Sequence, residues 1–177
     1  MKTLKHISTY NLLIKKSKFI CFAYPVTSKE QVADILKEIE QKYHDAKHIV
    51  YAYKIGDNII KKENSSEPAN TAGTPILCAI ENNNLINVLV VVIRYFGGVL
   101  LGASNLYRAY SDVALEAIKA NEVVELNKYK RYNVNVSYVQ YASINSLANK
   151  SDEIRILNGD FDREIKVDIA VKENATN

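Results

Sequence analysis

Two cysteines, three prolines, one methionine and no tryptophan occur in this chain of 177 residues. The cysteines, Cys21 and Cys78, sit in the apolar stretches FICFAY and PILCAI, with no CxxC and no Cys/His spacing suited to a metal. That excludes a disulfide scaffold or a zinc ribbon and predicts two buried free thiols in a reducing cytosol. Long hydrophobic runs are missing too. Val88–Ile93, with Leu85-Ile86 ahead of it, falls far short of the about 20 residues that span a bilayer. No secretory h-region opens the chain, so a cytoplasmic protein with no membrane partner is expected. Net charge is +3, enough only for weak long-range steering of an anion. Hydrophobic residues at 47% and charged ones at 24% fit a soluble globular protein of one large or two small domains. Of the three histidines, His44 and His48 are four apart, but a break near Asp45 separates them and no third ligand is placed, so no metal is expected.

The lysines that are present are unevenly placed. Lys2, Lys5, Lys15, Lys16 and Lys18 crowd the N-terminal end with no acid among them, as a solvated end would. KFICFAY (18–24) reads as a strand closed by Pro25. Ser28 and Gln31 fit a capping box ahead of an amphipathic helix over 29–43. HIVYAYKI (48–55) reads as a strand, and a turn at Gly56-Asp57-Asn58 returns it through 59–61. Residues 63–74, ENSSEPANTAGT, have no apolar period and form a loop long enough to suspect a role. Thr74-Pro75 predicts a helix with Thr74 as its cap. NVLVVVIRY (87–95) predicts a central strand covered on both faces. A helix from Ala103 to about Ala120 places Leu106, Tyr110, Val113, Ala117 and Ile118 together. After a boundary near 125, a strand over 129–139, a helix over 141–150 and a hairpin around Asn158-Gly159 give β-α-β-β, the front of a ferredoxin-like unit that lacks its closing helix and strand. The chain is either naturally short there or truncated. No internal repeat appears.

Three segments could carry chemistry. The first is RYFGGVLLGASNLYRAYS, 94–111. A strand that passes through glycines into a helix leaves backbone N–H groups facing an anion. Ser104 and Asn105 would add donors, and Arg94 with Arg108 would bring two guanidiniums to the turn, a set suited to phosphate. Ordinary strand-to-helix punctuation, with the arginines paired to acids, explains the same residues. GGVLLG matches neither dinucleotide fingerprint nor P-loop, so no nucleotide cofactor is expected. The second segment is the 63–74 loop, where Glu67 could accept from an arginine or serve as a base, or be a solvent-exposed turn residue. The third is His48, a polar contact beside that loop. No Ser/His/Asp or Cys/His pairing assembles from spacing. Twelve tyrosines offer either core or the stacking surfaces of RNA binders.

HIVYAYKIG, SSEPANTAGTPIL and NVLVVVIRYFGGVLLGASNLYRAYSDV, in this order and spacing, resemble the YigZ/IMPACT family over roughly residues 15–120, and the tail from about 130 resembles the small second domain of bacterial members. The resemblance implies an α+β protein. Residues 1–125 would form an Impact-type domain with a ribosomal protein S5 domain 2-like sheet and packed helices; 126–177 would form an incomplete ferredoxin-like second domain. By the resemblance His48, Glu67, Thr71, Ala72, Gly73, Arg94, Tyr95, Gly97, Gly98, Gly102, Arg108 and Tyr110 stand where the family's motif residues stand. This chain departs from the family at Asn64, Ser65 and Ser66, where an acidic pair and a glycine are usual, at Asn70, and at Ser104-Asn105. Losing the acidic pair weakens any metal-dependent mechanism. Eukaryotic members regulate translation under amino-acid starvation through machinery that includes a separate N-terminal domain, which these residues do not supply. The expected function is therefore a phosphate- or RNA-binding module linked to translation, with RNA or the ribosome as partner and no cofactor. Arg94, Tyr95, Gly97, Gly98, Gly102, Ser104, Asn105 and Arg108 would hold the anion, supported by Glu67, Thr71 and Gly73. Two alternatives stand beside it. One is a hydrolase-type enzyme on a small phosphorylated or peptide-like substrate, with Glu67 or His48 as base, marked by a concave pocket around those groups. The other is a protein-interaction scaffold.

Overall fold

Eight consecutive positions of β6, Val88–Tyr95, are buried or nearly so, and the whole first unit is arranged around them. A computed structural model describes residues 1–161 and 165–173. The described chain is a mixed α/β protein with four helices and three antiparallel sheets. It divides into two compact units, Met1–Glu125 and Leu126–Asn177.

In the first unit β2 (Ser8–Ile14), β3 (Ser17–Pro25), β6, β4 (His48–Ile55) and β5 (Ile59–Glu63) form one sheet in the order β2-β3-β6-β4-β5. Every neighbour is antiparallel. β6 lies at the centre, which is why it reads as an unbroken apolar run: both of its faces are covered. α1 (Lys29–Lys42) packs Val32 and Ile39 against Ile20, Leu89, Val91 and Ile93 on one face. α2 (Gly73–Asn82) and α3 (Ala103–Lys119) cover the other, where Ile76, Ile80, Tyr110 and Val113 meet Phe19, Cys21, Val50, Val90 and Val92. A short pair, β1 (Lys2–Leu4) with β7 (Val123–Glu125), joins the ends of the unit.

In the second unit β8 (Tyr129–Val136), α4 (Tyr138–Lys150), β9 (Ile154–Phe161) and β10 (Ile165–Lys172) follow one another, and the sheet order is β8-β10-β9. Ile165, Val167 and Ile169 of β10 form its core with Tyr141 and Ile144 of α4.

Several expectations are corrected. The N-terminal lysines are exposed, as a solvated end requires, but they sit on ordered elements: Lys2 lies in β1, Lys18 in β3, and Lys15-Lys16 are the hairpin turn, both left-handed at φ 45° and 65°. Two successive positive φ values match the right-handed twist of the paired strands. Gln31 reaches back one residue further than a capping box requires: its Oε1 accepts from the Thr27 N–H, while Ser28 Oγ accepts from the Gln31 N–H. α2 begins at Gly73, not at a Thr74 cap; Thr74 Oγ1 instead donates to Asn70 Oδ1. Pro75 still sits in the first turn, where its missing N–H leaves no bond unmade. β8 ends at Val136 and α4 starts at Tyr138, because Ser137 and Gln140 form a capping box. β9 does not turn at Asn158-Gly159. It stays paired through Phe161, with a register shift at Asp168/Ile169, and the connection to β10 falls at 162–164, outside the described residues. Cys21 is fully buried and burial pushes its thiol far up, but Cys78 is only half-buried.

Candidate functional site

β4 and β6 are paired so that His48 stands directly across from Arg94. Side chains alternate along a strand, so both project to the face covered by α2 and α3, with Val50 and Val92 behind them. Phe19 pairs with Arg94 from the other side, and its ring lies 5.4 Å from the guanidinium carbon. A second ring, Phe96, lies 5.7 Å away. Into this space the 63–74 loop delivers Glu67.

Glu67 is the hub. Its side chain is 3% exposed, and Oε1 accepts from Arg94 Nη1 at 2.6 Å and from the Tyr110 hydroxyl at 2.8 Å. His48 Nε2 stands 3.7 Å from the same oxygen. Ser66 Oγ lies 3.0 Å from His48 Nδ1. Arg94 Nη2 reaches Ser17 Oγ at 3.4 Å, and its Nε–H has no partner among the described residues. Burial pushes the His48 imidazole below its ordinary range; Glu67 opposes that shift, and the charges of Arg94 and Lys47 add to it. The ring is therefore neutral at pH 7. Burial, and then the neighbouring carboxylate, push the Tyr110 phenol far up, so it serves only as a neutral donor.

Asn64 holds the loop that carries Glu67. Its amide nitrogen donates to the carbonyls of Glu67 and Pro68, and its oxygen accepts from the N–H groups of Ala72 and Gly73. One side chain thereby closes the loop and caps α2 from outside the helix, which leaves α2 with no cap of its own. Thr71 Oγ1 donates to the Pro68 carbonyl. Asn70 takes φ 61°, which asparagine tolerates better than most residues. Asn64→Ala should cost about 1–2 kcal/mol, the scale of a lost cap with buried amides left unpaired. The expected result is faster hydrogen exchange at Ala72 and Gly73 and new proteolytic cutting within 63–74; unchanged exchange at both amides would refute the role.

Above the hub lies a cleft of about 340 Å³, within the usual range for a small-ligand pocket. His48, Ser66, Glu67 and Arg94 form its polar side, Leu100, Leu101 and Leu106 its apolar wall, and Lys47, Phe96, Gly102 and Ala103 complete it. α3 opens there. Its cap position, Gly102, has φ 79° and ψ 155° and no side chain caps the helix. That backbone conformation is one that glycine alone adopts freely. The first N–H groups of a 17-residue helix are thus left without intrahelical acceptors beside the cleft.

The residues picked out from the sequence separate into three sets. Glu67, His48, Arg94 and Tyr110 come together, but as partners of one another. Arg94 gives Nη1 to Glu67 while its Nε–H has no partner among the described residues, and Glu67 is buried rather than a solvent-exposed turn residue. Gly102 lines the cleft; Thr71, Ala72 and Gly73 build the loop behind it. The rest lie elsewhere. Tyr95, one position on from Arg94, faces the α1 side and donates to Asp45. Arg108 and Ser104 are exposed on α3 outside the cleft lining, and Asn105 donates to the Leu101 carbonyl. Gly97 donates its N–H to Ser17 Oγ, and Gly98 stands in open space. Reasoning from the sequence missed Ser17, Asn64 and Ser66 as partners; the adjacency of Ser66 to Glu67 was the only available signal. Among the described residues no group of three His, Cys, Asp or Glu could hold a metal ion, and no helix is long and apolar enough to cross a membrane.

The Impact N-terminal domain model matches residues 15–118, which include every residue of the hub and the cleft. The chain is similar to the IMPACT family member YvyE of Bacillus subtilis, at 29% identity over 99% of this chain and 81% of that protein. An IMPACT family member of Haemophilus influenzae is 30% identical over 90% of this chain and 79% of its own length. A crystal structure of a hypothetical protein shares the fold, with a TM-score of 0.73 at 24% identity over 99% of this chain and 86% of that one. On these matches the chain belongs to the Impact N-terminal domain family.

Proposed function

We propose that the chain is a binding module linked to translation or its regulation, and that it takes a phosphate-bearing partner, RNA on or near the ribosome, at the rim of the cleft. The observation that carries this reading is the uncapped start of α3 at Gly102-Ala103, which borders the same cleft as Lys47 and the exposed Phe96. Helix N–H groups favour an anion, a lysine neutralises a phosphate, and an exposed ring gives a base a surface to stack on. The exposed Lys16 adds a second cation near Phe96, since its backbone lies against Gly97. The link to translation comes from the family resemblance. The fold is read in the same terms: an S5 domain 2-like Impact domain over 1–125, then a partial ferredoxin-like domain over 126–177, whose strand order β8-β10-β9 is what a ferredoxin-like unit shows before its fourth strand.

Titration of labelled single-stranded RNA of mixed sequence, between about 50 and about 200 mM salt, tests the reading. Lys16→Gln with Lys47→Gln should flatten the log–log salt dependence by about 1.4, two single-strand phosphate contacts. Phe96→Ala should lose about 1–3 kcal/mol of affinity if a base stacks there. A double variant that binds as tightly as the parent at low salt would sink the proposal. The enclosure of His48, Ser66 and Glu67 in a concave cleft supports the second, enzymatic reading.

A further inference from the structure

We propose that Ser66 is a nucleophile activated by His48, and that the cleft hydrolyses carboxylic esters with a short apolar acyl group. Neither the resemblance nor the proposed RNA contact requires this. A glycine is usual in the family where this chain has Ser66.

Four observations carry it. Ser66 Oγ is within hydrogen-bond distance of His48 Nδ1, at 3.0 Å. Behind the imidazole Nε2 faces Glu67 Oε1 at 3.7 Å, close enough to attract the imidazolium once it forms, and that carboxylate is itself fixed by Arg94 and Tyr110. Ser66 and His48 share the cleft with the uncapped start of α3, whose N–H groups suit a developing oxyanion. Opposite them Leu100, Leu101 and Leu106 offer an acyl chain an apolar wall. A nucleophile, its base, an orienting acid and a donor set around one cavity are the parts acyl transfer needs.

The chemistry balances without a cofactor. Ser66 Oγ adds to the ester carbonyl while His48 Nδ1 takes its proton. The bond to the alcohol oxygen then breaks, and that proton passes to the departing alkoxide. Water adds to the acyl-serine next, giving a proton to Nδ1. Expulsion of Ser66 Oγ, which recovers that proton, releases the carboxylic acid. Glu67 is a positioning residue: its carboxylate favours the charged imidazolium, which burial, Arg94 from β6 and the neighbouring Lys47 disfavour. Because burial first, and then the charges of Arg94 and Lys47, hold His48 below its ordinary range, the base is free at lower pH than an exposed histidine would be.

The test uses p-nitrophenyl butyrate turnover and labelling with a fluorophosphonate probe, read by peptide mass spectrometry. The full chain should turn over the ester and label at Ser66. Its kcat/KM should rise with pH to a plateau, with a midpoint below about 6.5. Ser66 is exposed, so Ser66→Ala should fold normally, lose the label and lose about 100-fold or more in kcat/KM. His48→Gln should also lose the label. No turnover by the parent, label on another residue, or undiminished turnover by Ser66→Ala would each overturn the proposal. Loss of RNA binding in the lysine variants alone would leave it standing.

Discussion

Arg94→Met should remove about 3–5 kcal/mol from the first unit, the cost of taking one partner from a buried ion pair. The guanidinium is the only full positive charge that touches Glu67 among the described residues, and the two side chains are 5% and 3% exposed. With methionine at 94 the carboxylate keeps the Tyr110 hydroxyl and a neutral His48, neither of which repays its lost hydration. Hydrogen exchange at Val90–Val92 is the clearest readout, because it follows the central strand whatever the second unit does. Protection there should fall by about 100-fold or more. Adding Glu67→Gln should restore part of it, since the orphaned charge is then gone. A coupling of about 1–3 kcal/mol in the double-mutant cycle is expected. Additive losses, or a drop below about 1 kcal/mol for Arg94→Met alone, would mean that the hub is not held by this pair.

What the sequence made legible follows from how local each signal is. β6 and β3 announce themselves through composition, α1 and α3 through spacing, and none needs a distant partner to be read. β2 was missed because STYNLLI has no clean alternation and its turn is Lys15-Lys16, not the Asn-Gly or Gly pair that usually supplies positive φ. The α2 start was misplaced because its cap comes from Asn64, eight and nine residues earlier, and no local pattern encodes that. The hub shows the same limit. His48, Glu67, Arg94 and Tyr110 were all marked by the family resemblance, but residues on four elements carry no sign of what they face. Spacing could offer Arg94 to a ligand or to an acid. Only the register of β4 against β6 and the path of the loop decide for the acid. Glycines ahead of a helix suggest N–H groups that face an anion, but the Gly97 N–H goes to Ser17 Oγ and the space at its Cα is filled by the Lys16 backbone.

Gly97→Ala should be the most damaging small substitution in the 94–111 segment. A Cβ there would stand 2.0 Å from the carbonyl carbon of Lys16, 2.2 Å from its oxygen and 2.4 Å from the Ser17 nitrogen. These are backbone atoms in and beside the β2–β3 turn, so relief requires that the hairpin or the 96–98 turn move. Moving either disturbs Ser17 Oγ, which accepts both from the Gly97 N–H at 3.2 Å and from Arg94 Nη2 at 3.4 Å. One methyl group is therefore coupled to the buried pair. The cost should reach or exceed about 3 kcal/mol, the upper end of ordinary overpacking. Gly98→Ala is the control. Its Cβ meets nothing within 4 Å, and only its φ of 80° opposes a side chain, a strain of about 1–2 kcal/mol. Thermal melts of the two variants, followed by far-ultraviolet circular dichroism with exchange at Val90–Val92 in parallel, should rank Gly97→Ala well below Gly98→Ala. Equal losses would show that the turn yields to the methyl group, and that Gly97 is then a matter of backbone freedom rather than of the contact with Lys16.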